Sequence, residues 1–306
     1  MAVSKEPGCS KRVGSTNPRH CSVARAWKNC STAYLEGADL TLSMDLGLKG
    51  YKAIVTGGSA GIGFGIAQAL VREGAALGVC ARDEPRLAES VERLRKEGGT
   101  AVGVRADVGQ PGEVQSAVDR VAKELGGLDL VVAAVGGHEG EPWIAKTTSD
   151  DWAKTFQLNV GHSVDATRAA LPYLRDTGRG SILFVSSITG WRPGPASSYA
   201  AAKSALIHLA ATFAQELGPY RIRVNAISPG STGDTEGWIE YRRNHPERFS
   251  KFLNEELPLQ RLVTVREVSD VAALILSPRG SGINGANITV DAGQYRPHAI
   301  RFPSEV

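Results

Sequence analysis

Tyr51-Lys52-Ala53-Ile54-Val55-Thr56-Gly57-Gly58-Ser59-Ala60-Gly61-Ile62-Gly63 is a short apolar run that breaks into glycines and then resumes with helical spacing. A strand, a glycine-rich turn and a helix start leave backbone N–H groups free at the positive end of a helix dipole. Such a place suits a pyrophosphate. Gly57 allows the tight turn, Gly61 lets backbone approach a ligand, and Gly63 lets helix and strand pack closely. Ser59, Ala60 and Ile62 stand between them in the same cradle, and Thr56 closes the strand. Three glycines alone are weak evidence; their place after a strand and before a helix gives the reading its force.

Outward from this turn, apolar runs alternate with helical stretches. Runs at 76–81, 101–106, 128–135, 180–187, 222–227 and 286–290 read as six further strands. Helical spacing covers 61–73, 84–97, 111–125, about 150–175 and 197–217. The 128–135 run is apolar almost throughout, as a strand buried on both faces should be. Strands alternating with helices imply right-handed crossovers and an α/β fold, with helices on both faces of a mainly parallel seven-stranded sheet. No fixed-period repeat or linker divides residues 44–306, so one doubly wound domain is expected there. Ligands in such sheets bind beyond the carboxyl ends of the strands.

Several chemically loaded residues fall at those ends. Thr56-Gly57-x-x-x-Gly61-x-Gly63, Tyr199-Ala200-Ala201-Ala202-Lys203, Ser187 twelve residues before Tyr199, Asn159 in Leu158-Asn159-Val160, and Asn225-Ala226-Ile227-Ser228-Pro229-Gly230 occur in this order. The set resembles the short-chain dehydrogenase/reductase family over about residues 48–294. The resemblance implies a single Rossmann-type domain, a nicotinamide dinucleotide and a catalytic set of Asn159, Ser187, Tyr199 and Lys203. It also implies cofactor contacts at Thr56, Gly57, Ser59, Ala60, Gly61, Ile62, Gly63, Asp107, Val108, Gly136, Tyr199, Lys203, Pro229 and Gly230. In the family Asn159 would bend its helix and hold a water that links Lys203 to solvent. Members are usually tetramers built on the helices holding Asn159 and Tyr199; a homotetramer, or a homodimer, is the expected assembly.

The chemistry also follows from the residues themselves. Tyr199 and Lys203 are four apart and share one helix face. A free tyrosine titrates near about 10, too high for a base at neutral pH, and a nearby ammonium favours the phenolate. Tyr199 would then protonate a carbonyl oxygen or take an alcohol proton. Ser187 would hydrogen-bond the same oxygen. Singly, each has a plain structural reading: a surface Tyr–Lys pair, a serine cap, a solvated asparagine. Ser186 competes with Ser187, whose spacing to Gly190 matches the family better.

Cofactor choice rests on the end of the second strand. An acidic residue there would bond a ribose 2′-OH and favour NAD. Here Ala81 is followed by Arg82, which suits the 2′-phosphate of NADP, although Asp83 lies beside it. NADP(H) is therefore expected, with NAD(H) as the alternative. Two departures from the family pattern stand out. Its Asn-Asn-Ala-Gly after strand four is Ala133-Ala134-Val135-Gly136 here, where Gly136 keeps room for backbone approach to the cofactor. Its threonine after Pro-Gly falls at Thr232 or Thr235. Thr232 is taken as the nicotinamide contact.

Residues 231–262 carry Trp238, Tyr241, Arg242, Arg243, His245, Phe249 and Phe252. The family places a lid over the substrate here. The aromatics suggest a partly apolar carbonyl or alcohol substrate, and Arg242 or Arg243 would meet an anion if one is present. No metal is expected, since His138, His162, His208 and His298 lack ligand spacing.

Composition confines the remaining classes. The chain has 306 residues, 42% hydrophobic and 22% charged, with net charge +3. That is neither a disordered nor a fibrous composition, and the charge is too small to argue for nucleic acid. No apolar run reaches the roughly 18 residues of a membrane span. A cytoplasmic enzyme is expected. Residues 1–43 hold six Lys/Arg against three Asp/Glu and three of the four cysteines, so they carry the whole excess charge. Met44 then opens what reads as the natural start of the domain. The segment reads as upstream sequence, a targeting peptide or a real appendage. A leader without function is favoured, with order expected to be poor and activity expected to survive its removal. The combined reading is an NADP(H)-dependent ketone/alcohol oxidoreductase of the 3-oxoacyl reductase or ketoreductase kind. Its alternatives are an NAD-dependent sugar or polyol dehydrogenase and a nucleotide-binding regulator without turnover.

Overall fold

The computed structural model describes residues 45–194 and 196–294. The expectations for residues 1–43 and for His298 lie outside the described residues.

Seven strands form one sheet: β1 (Lys52–Thr56), β2 (Ala76–Ala81), β3 (Ala101–Arg105), β4 (Leu130–Ala133), β5 (Ser181–Val185), β6 (Arg223–Pro229) and β7 (Asn287–Val290). Their order is β3-β2-β1-β4-β5-β6-β7, and every pairing is parallel. The order reverses between β1 and β4, where Thr56 lies beside both Cys80 and Ala133. That reversal opens the crevice in which such sheets hold ligands.

Side chains alternate across each strand and feed two cores. Ala53 and Val55 of β1 face one core, with α1 (Gly61–Arg72), α2 (Glu84–Lys96) and α9 (Val265–Leu276). Ile54 faces the other, with α3 (Glu113–Leu125), α5 (His162–Thr177) and α6 (Ser197–Leu217). All four residues of β4 are buried, as its apolar run predicts. Each such Val or Leu contributes about 1.5–3 kcal/mol. Cys80 lies in the second core, where burial pushes its thiol up to about 12, so it is a packing residue.

Three features differ from the sequence reading. The helix expected over about 150–175 is broken. It comprises α4 (Ser149–Phe156), a π-helical turn over Gln157–Gly161, and α5. Helix α9 was not anticipated, although Thr264 and Glu267 form a capping box ahead of apolar Val268, Ala272 and Ile275. The 231–262 segment folds as two helices, α7 (Glu236–Asn244) and α8 (Pro246–Glu256), neither with a fully buried residue.

Candidate active site

The glycine turn has the geometry its spacing implies. Gly57 adopts φ +68° and Gly61 φ +53°, both left-handed. A Cβ on Gly63 would stand 2.3 Å from the Gly57 carbonyl oxygen, so only glycine lets helix and turn close on each other. A Cβ on Gly61 would meet nothing within 4 Å, which leaves the backbone open on that side. Thr56 is different. It is buried, and its hydroxyl accepts from the Ala134 N–H at 3.2 Å and donates to the Val132 carbonyl at 3.4 Å. It joins β1 to β4 and holds the turn rather than facing the crevice.

Ser187 ends β5, and α6 carries Tyr199 and Lys203 past it. A cavity of about 250 Å³ is walled by all three together with Gly57, Ile62, Gly63, Gly136, Pro229 and Gly230. Ile62, Ser187, Tyr199, Gly230 and Thr232 also wall an adjoining cavity of about 290 Å³. The two serines, which both wall the first cavity, differ in their bonds. Ser186 is buried and donates to the Lys203 carbonyl at 2.7 Å, which pins α6 to β5. Ser187 accepts from the Thr189 N–H at 3.2 Å, a cap, and still faces both cavities.

Lys203 is 2% exposed. Its ammonium donates to the Val185 carbonyl at 2.8 Å and lies 5.4 Å from the centre of the Tyr199 ring. Burial brings it down to about 7. Burial also holds the Tyr199 phenol above its ordinary value, with hydrogen bonding to Ser187 pulling the other way. The expected lowering of Tyr199 by a full ammonium is thus not the balance in the protein alone. Burial weakens the lysine's own charge, and desolvation of the phenol outweighs its hydrogen bond to Ser187.

Asn159 sits fully buried in the π-turn, where its side chain donates to the Thr155 carbonyl at 2.8 Å and the Gly137 carbonyl at 2.7 Å. Its own carbonyl accepts from Ser163 Oγ at 2.8 Å. Gly136 walls the first cavity, and its missing side chain also matters to the residues behind it. A Cβ there would fall 2.6 Å from Lys203 Nζ and 3.0 Å from Asn159 Oδ1. The glycine leaves room for these two side chains while its backbone walls the cavity. His162, read as merely structural, is buried behind Lys203. Burial first, then the Lys203 charge, brings it down to about 3, so it is neutral. Its place one helical turn after Asn159 was the available signal.

The remaining candidates are spread more widely. Ser59, Ala60 and Gly61 wall a cavity of about 400 Å³ with Arg86 and Arg93. Arg82 is exposed and forms no ion pair among the described residues. Asp83 caps α2 by accepting from the Arg86 N–H at 3.1 Å, which answers the doubt it raised about the local charge. Asp107 accepts from the Gly109 N–H at 3.0 Å, and Val108 is buried in the second core; neither walls a cavity named above. Thr232 is buried and donates to the Gly230 carbonyl, whereas Thr235 walls both catalytic cavities. Arg242 lies over Phe249, and neither it nor Arg243 reaches the catalytic cavities. The open backbone at Gly61, the closed Gly57–Gly63 turn and the adjoining cavities together fit a dinucleotide laid across the crevice.

Residues 57–294 match a family model described as enoyl-(acyl carrier protein) reductase. Dehydrogenase/reductase SDR family member 4 of Homo sapiens is 32% identical over 273 residues, which span 88% of this chain and 95% of that protein. The chain belongs to the short-chain dehydrogenase/reductase family. Among solved structures, L-sorbose reductase from Gluconobacter frateurii, complexed with NADPH and L-sorbose, superposes with a TM-score of 0.78. It is 30% identical and covers 82% of this chain and 98% of its own. A 7α-hydroxysteroid dehydrogenase complexed with NADH and 7-oxo glycochenodeoxycholic acid gives 0.76 at 28% identity, covering 82% and 96%. As a short-chain dehydrogenase/reductase, the protein is an oxidoreductase with a nicotinamide dinucleotide site. Among its described residues no helix is long and apolar enough to cross a membrane.

Proposed function

We propose that this short-chain dehydrogenase/reductase uses NADP(H) to interconvert a ketone and a secondary alcohol, in the manner of a 3-oxoacyl reductase or ketoreductase. The observation that carries the reading is the convergence of Ser187, Tyr199 and Lys203 on one cavity wall beside the glycine turn. A nicotinamide, when bound, supplies the hydride to the carbonyl carbon or accepts it from the alcohol. Tyr199 then gives its proton to the carbonyl oxygen, or takes it back in the reverse direction. Ser187 hydrogen-bonds the same oxygen and orients the carbonyl. Lys203 stands beside Tyr199 as the group that resupplies the proton, and Asn159 holds the π-turn against Gly137 beside the lysine.

Arg82 supports NADP(H) over NAD(H), because it is exposed, unpaired among the described residues and next to small Ala81, while Asp83 is turned into its own helix. The related structures were solved with NADPH in one case and NADH in the other, so the choice rests on these residues. A homotetramer or homodimer in the cytoplasm completes the proposal. A regulator without turnover would have no use for four intact catalytic positions.

The test is Tyr199→Phe, followed by cofactor absorbance with a broad ketone panel. Loss of the positioned proton donor should lower turnover by about 10²–10⁴-fold. Unchanged turnover would overturn the mechanism.

A further inference from the structure

The cavity of about 290 Å³ in front of Ser187 and Tyr199 is at the small end of ligand sites. Its apolar wall is Ile62, Ile188 and Trp238. Its polar wall is already engaged with itself. Thr232 Oγ1 donates to the Gly230 carbonyl at 3.0 Å, and Thr235 Oγ1 to the Thr232 carbonyl at 2.8 Å. Gln294 accepts from the Ser231 N–H at 2.8 Å and donates to Ser231 Oγ at 2.9 Å. Thr189 Oγ1 donates to Ser187 Oγ at 3.0 Å. Among the described residues the Ser187 and Tyr199 hydroxyls, which face each other, are left for a ligand carbonyl oxygen, and the Ser231 hydroxyl proton and the second Gln294 N–H are also unused.

No side chain in this wall carries a charge. The nearby charges are committed elsewhere. Arg86 pairs with Glu236 at 3.1 Å, and the Asp234 carboxylate accepts from the Val265 N–H at 2.7 Å. These two contacts anchor the start of α7 just before Trp238. The indole is then stacked on Phe252 of α8, with ring centres 5.4 Å apart and planes 14° from parallel, and Tyr241 meets it edge-on at 5.4 Å. Trp238 is therefore a braced surface at the mouth of the catalytic cavity.

We propose, resting on the ketone-reductase reading above, that the substrate is an uncharged ketone whose body is a small ring system packed against Trp238. A carbonyl oxygen finds its two donors, and the ring finds an aromatic wall. A polyhydroxylated sugar would bring more hydroxyls than the few groups left unused in this wall, the Ser231 hydroxyl proton and the second Gln294 N–H, can pair. The surplus hydroxyls would lose water without replacement. A carboxylate would enter a cavity with no countercharge.

The full chain is assayed with NADPH against cyclohexanone, 2-tetralone, butanone, a ketohexose and a 2-oxo acid. The ring ketones should exceed the ketohexose and the 2-oxo acid by at least about tenfold in kcat/KM. Trp238→Ala should reduce the ring-to-butanone ratio of kcat/KM by about tenfold, chiefly through KM, as loss of an aromatic wall implies. Trp238→Phe, which keeps an aromatic ring against Phe252, should restore most of that ratio. A second readout does not need turnover. Cyclohexanol should alter the indole fluorescence of wild type and of Tyr199→Phe but not of Trp238→Phe. Preference for the ketohexose or the 2-oxo acid, or an unchanged ring-to-butanone ratio in Trp238→Ala, would overturn the proposal. The two levels separate cleanly. Turnover surviving in Tyr199→Phe defeats the reductase reading, whereas an inactive Tyr199→Phe beside an indifferent Trp238→Ala defeats only the substrate class.

Discussion

Lys203 makes the protein less stable than it would otherwise be, and Lys203→Met should show by how much. The ammonium is 2% exposed and has one described partner, the Val185 carbonyl at 2.8 Å. Burial takes it from 10.5 to about 7. Between those values the unfolded chain binds the proton and the folded one does not, so stability rises with pH through this window. Below about pH 7 both states are charged and the full penalty is present. A shift of that size corresponds to about 5 kcal/mol at about 1.4 kcal/mol per unit. Methionine has a similar length and no charge. Its substitution orphans the Val185 carbonyl, which costs about 1–3 kcal/mol. The net gain at pH 6 is about 2–4 kcal/mol, or roughly 4–16 °C in Tm at about 2–4 °C per kcal/mol. The assay is thermal or urea unfolding of the ligand-free protein at pH 6 and pH 10. The gain should be large at pH 6 and gone or slightly reversed at pH 10, where only about 1 kcal/mol of the burial penalty remains against the cost of the orphaned carbonyl. A variant that unfolds earlier than wild type at pH 6, or a gap that does not narrow with pH, would refute the reasoning.

Gly136→Ala should unfold within about 1–3 kcal/mol of wild type but lose about 10²-fold in kcat, because its methyl would displace Lys203 Nζ; unchanged kcat would refute this. Arg82→Ala should raise the KM for NADPH by about tenfold or more and leave that for NADH nearly unaltered; equal losses would sink the NADP(H) assignment. His162 is brought down from 6.5 to about 3, so below pH 6.5 the unfolded chain takes up a proton that the fold refuses, and stability falls with acid. At pH 4.5 that amounts to about 3 kcal/mol, and His162→Gln should show a correspondingly flatter acid slope in urea unfolding.

The fold was readable because buried parallel strands are written as apolar runs with helices between them, and β1 to β7 fall where such runs occur. A bend at Asn159 was implied by the resemblance, but the π-turn that makes it was not readable from the pattern. Periodicity sees about 150–175 as continuous, and the backbone bond from the His162 N–H to the Gln157 carbonyl five residues back shows the extra residue. Helix α9 was readable from Thr264-x-x-Glu267 and was passed over. At the site, spacing placed Tyr199 beside Lys203 but could not give the sign of their titration. That sign is set by burial, which depends on β5, α5 and Gly136 as much as on the Tyr-x-x-x-Lys motif. The choice between Ser186 and Ser187 is likewise a matter of which side of β5 each faces.

Gly136 shows why motif residues can be right for reasons a motif does not state. Its place after β4 suggests close approach to a ligand. Its missing Cβ is also the space taken by Lys203 Nζ and Asn159 Oδ1. Lys203 is then walled in by Gly136, Val185 and the π-turn, with His162 behind it unable to share the charge at neutral pH. A lysine so enclosed titrates near the pH at which it must hand on a proton, which is the condition for efficient proton transfer. The same enclosure makes the ligand-free site unstable, since the buried Lys203 ammonium has a carbonyl but no carboxylate partner among the described residues. Activity and stability are opposed here through one side chain. A substitution that relieves the burial of Lys203 should therefore raise its pKa, steady the fold and slow the chemistry together.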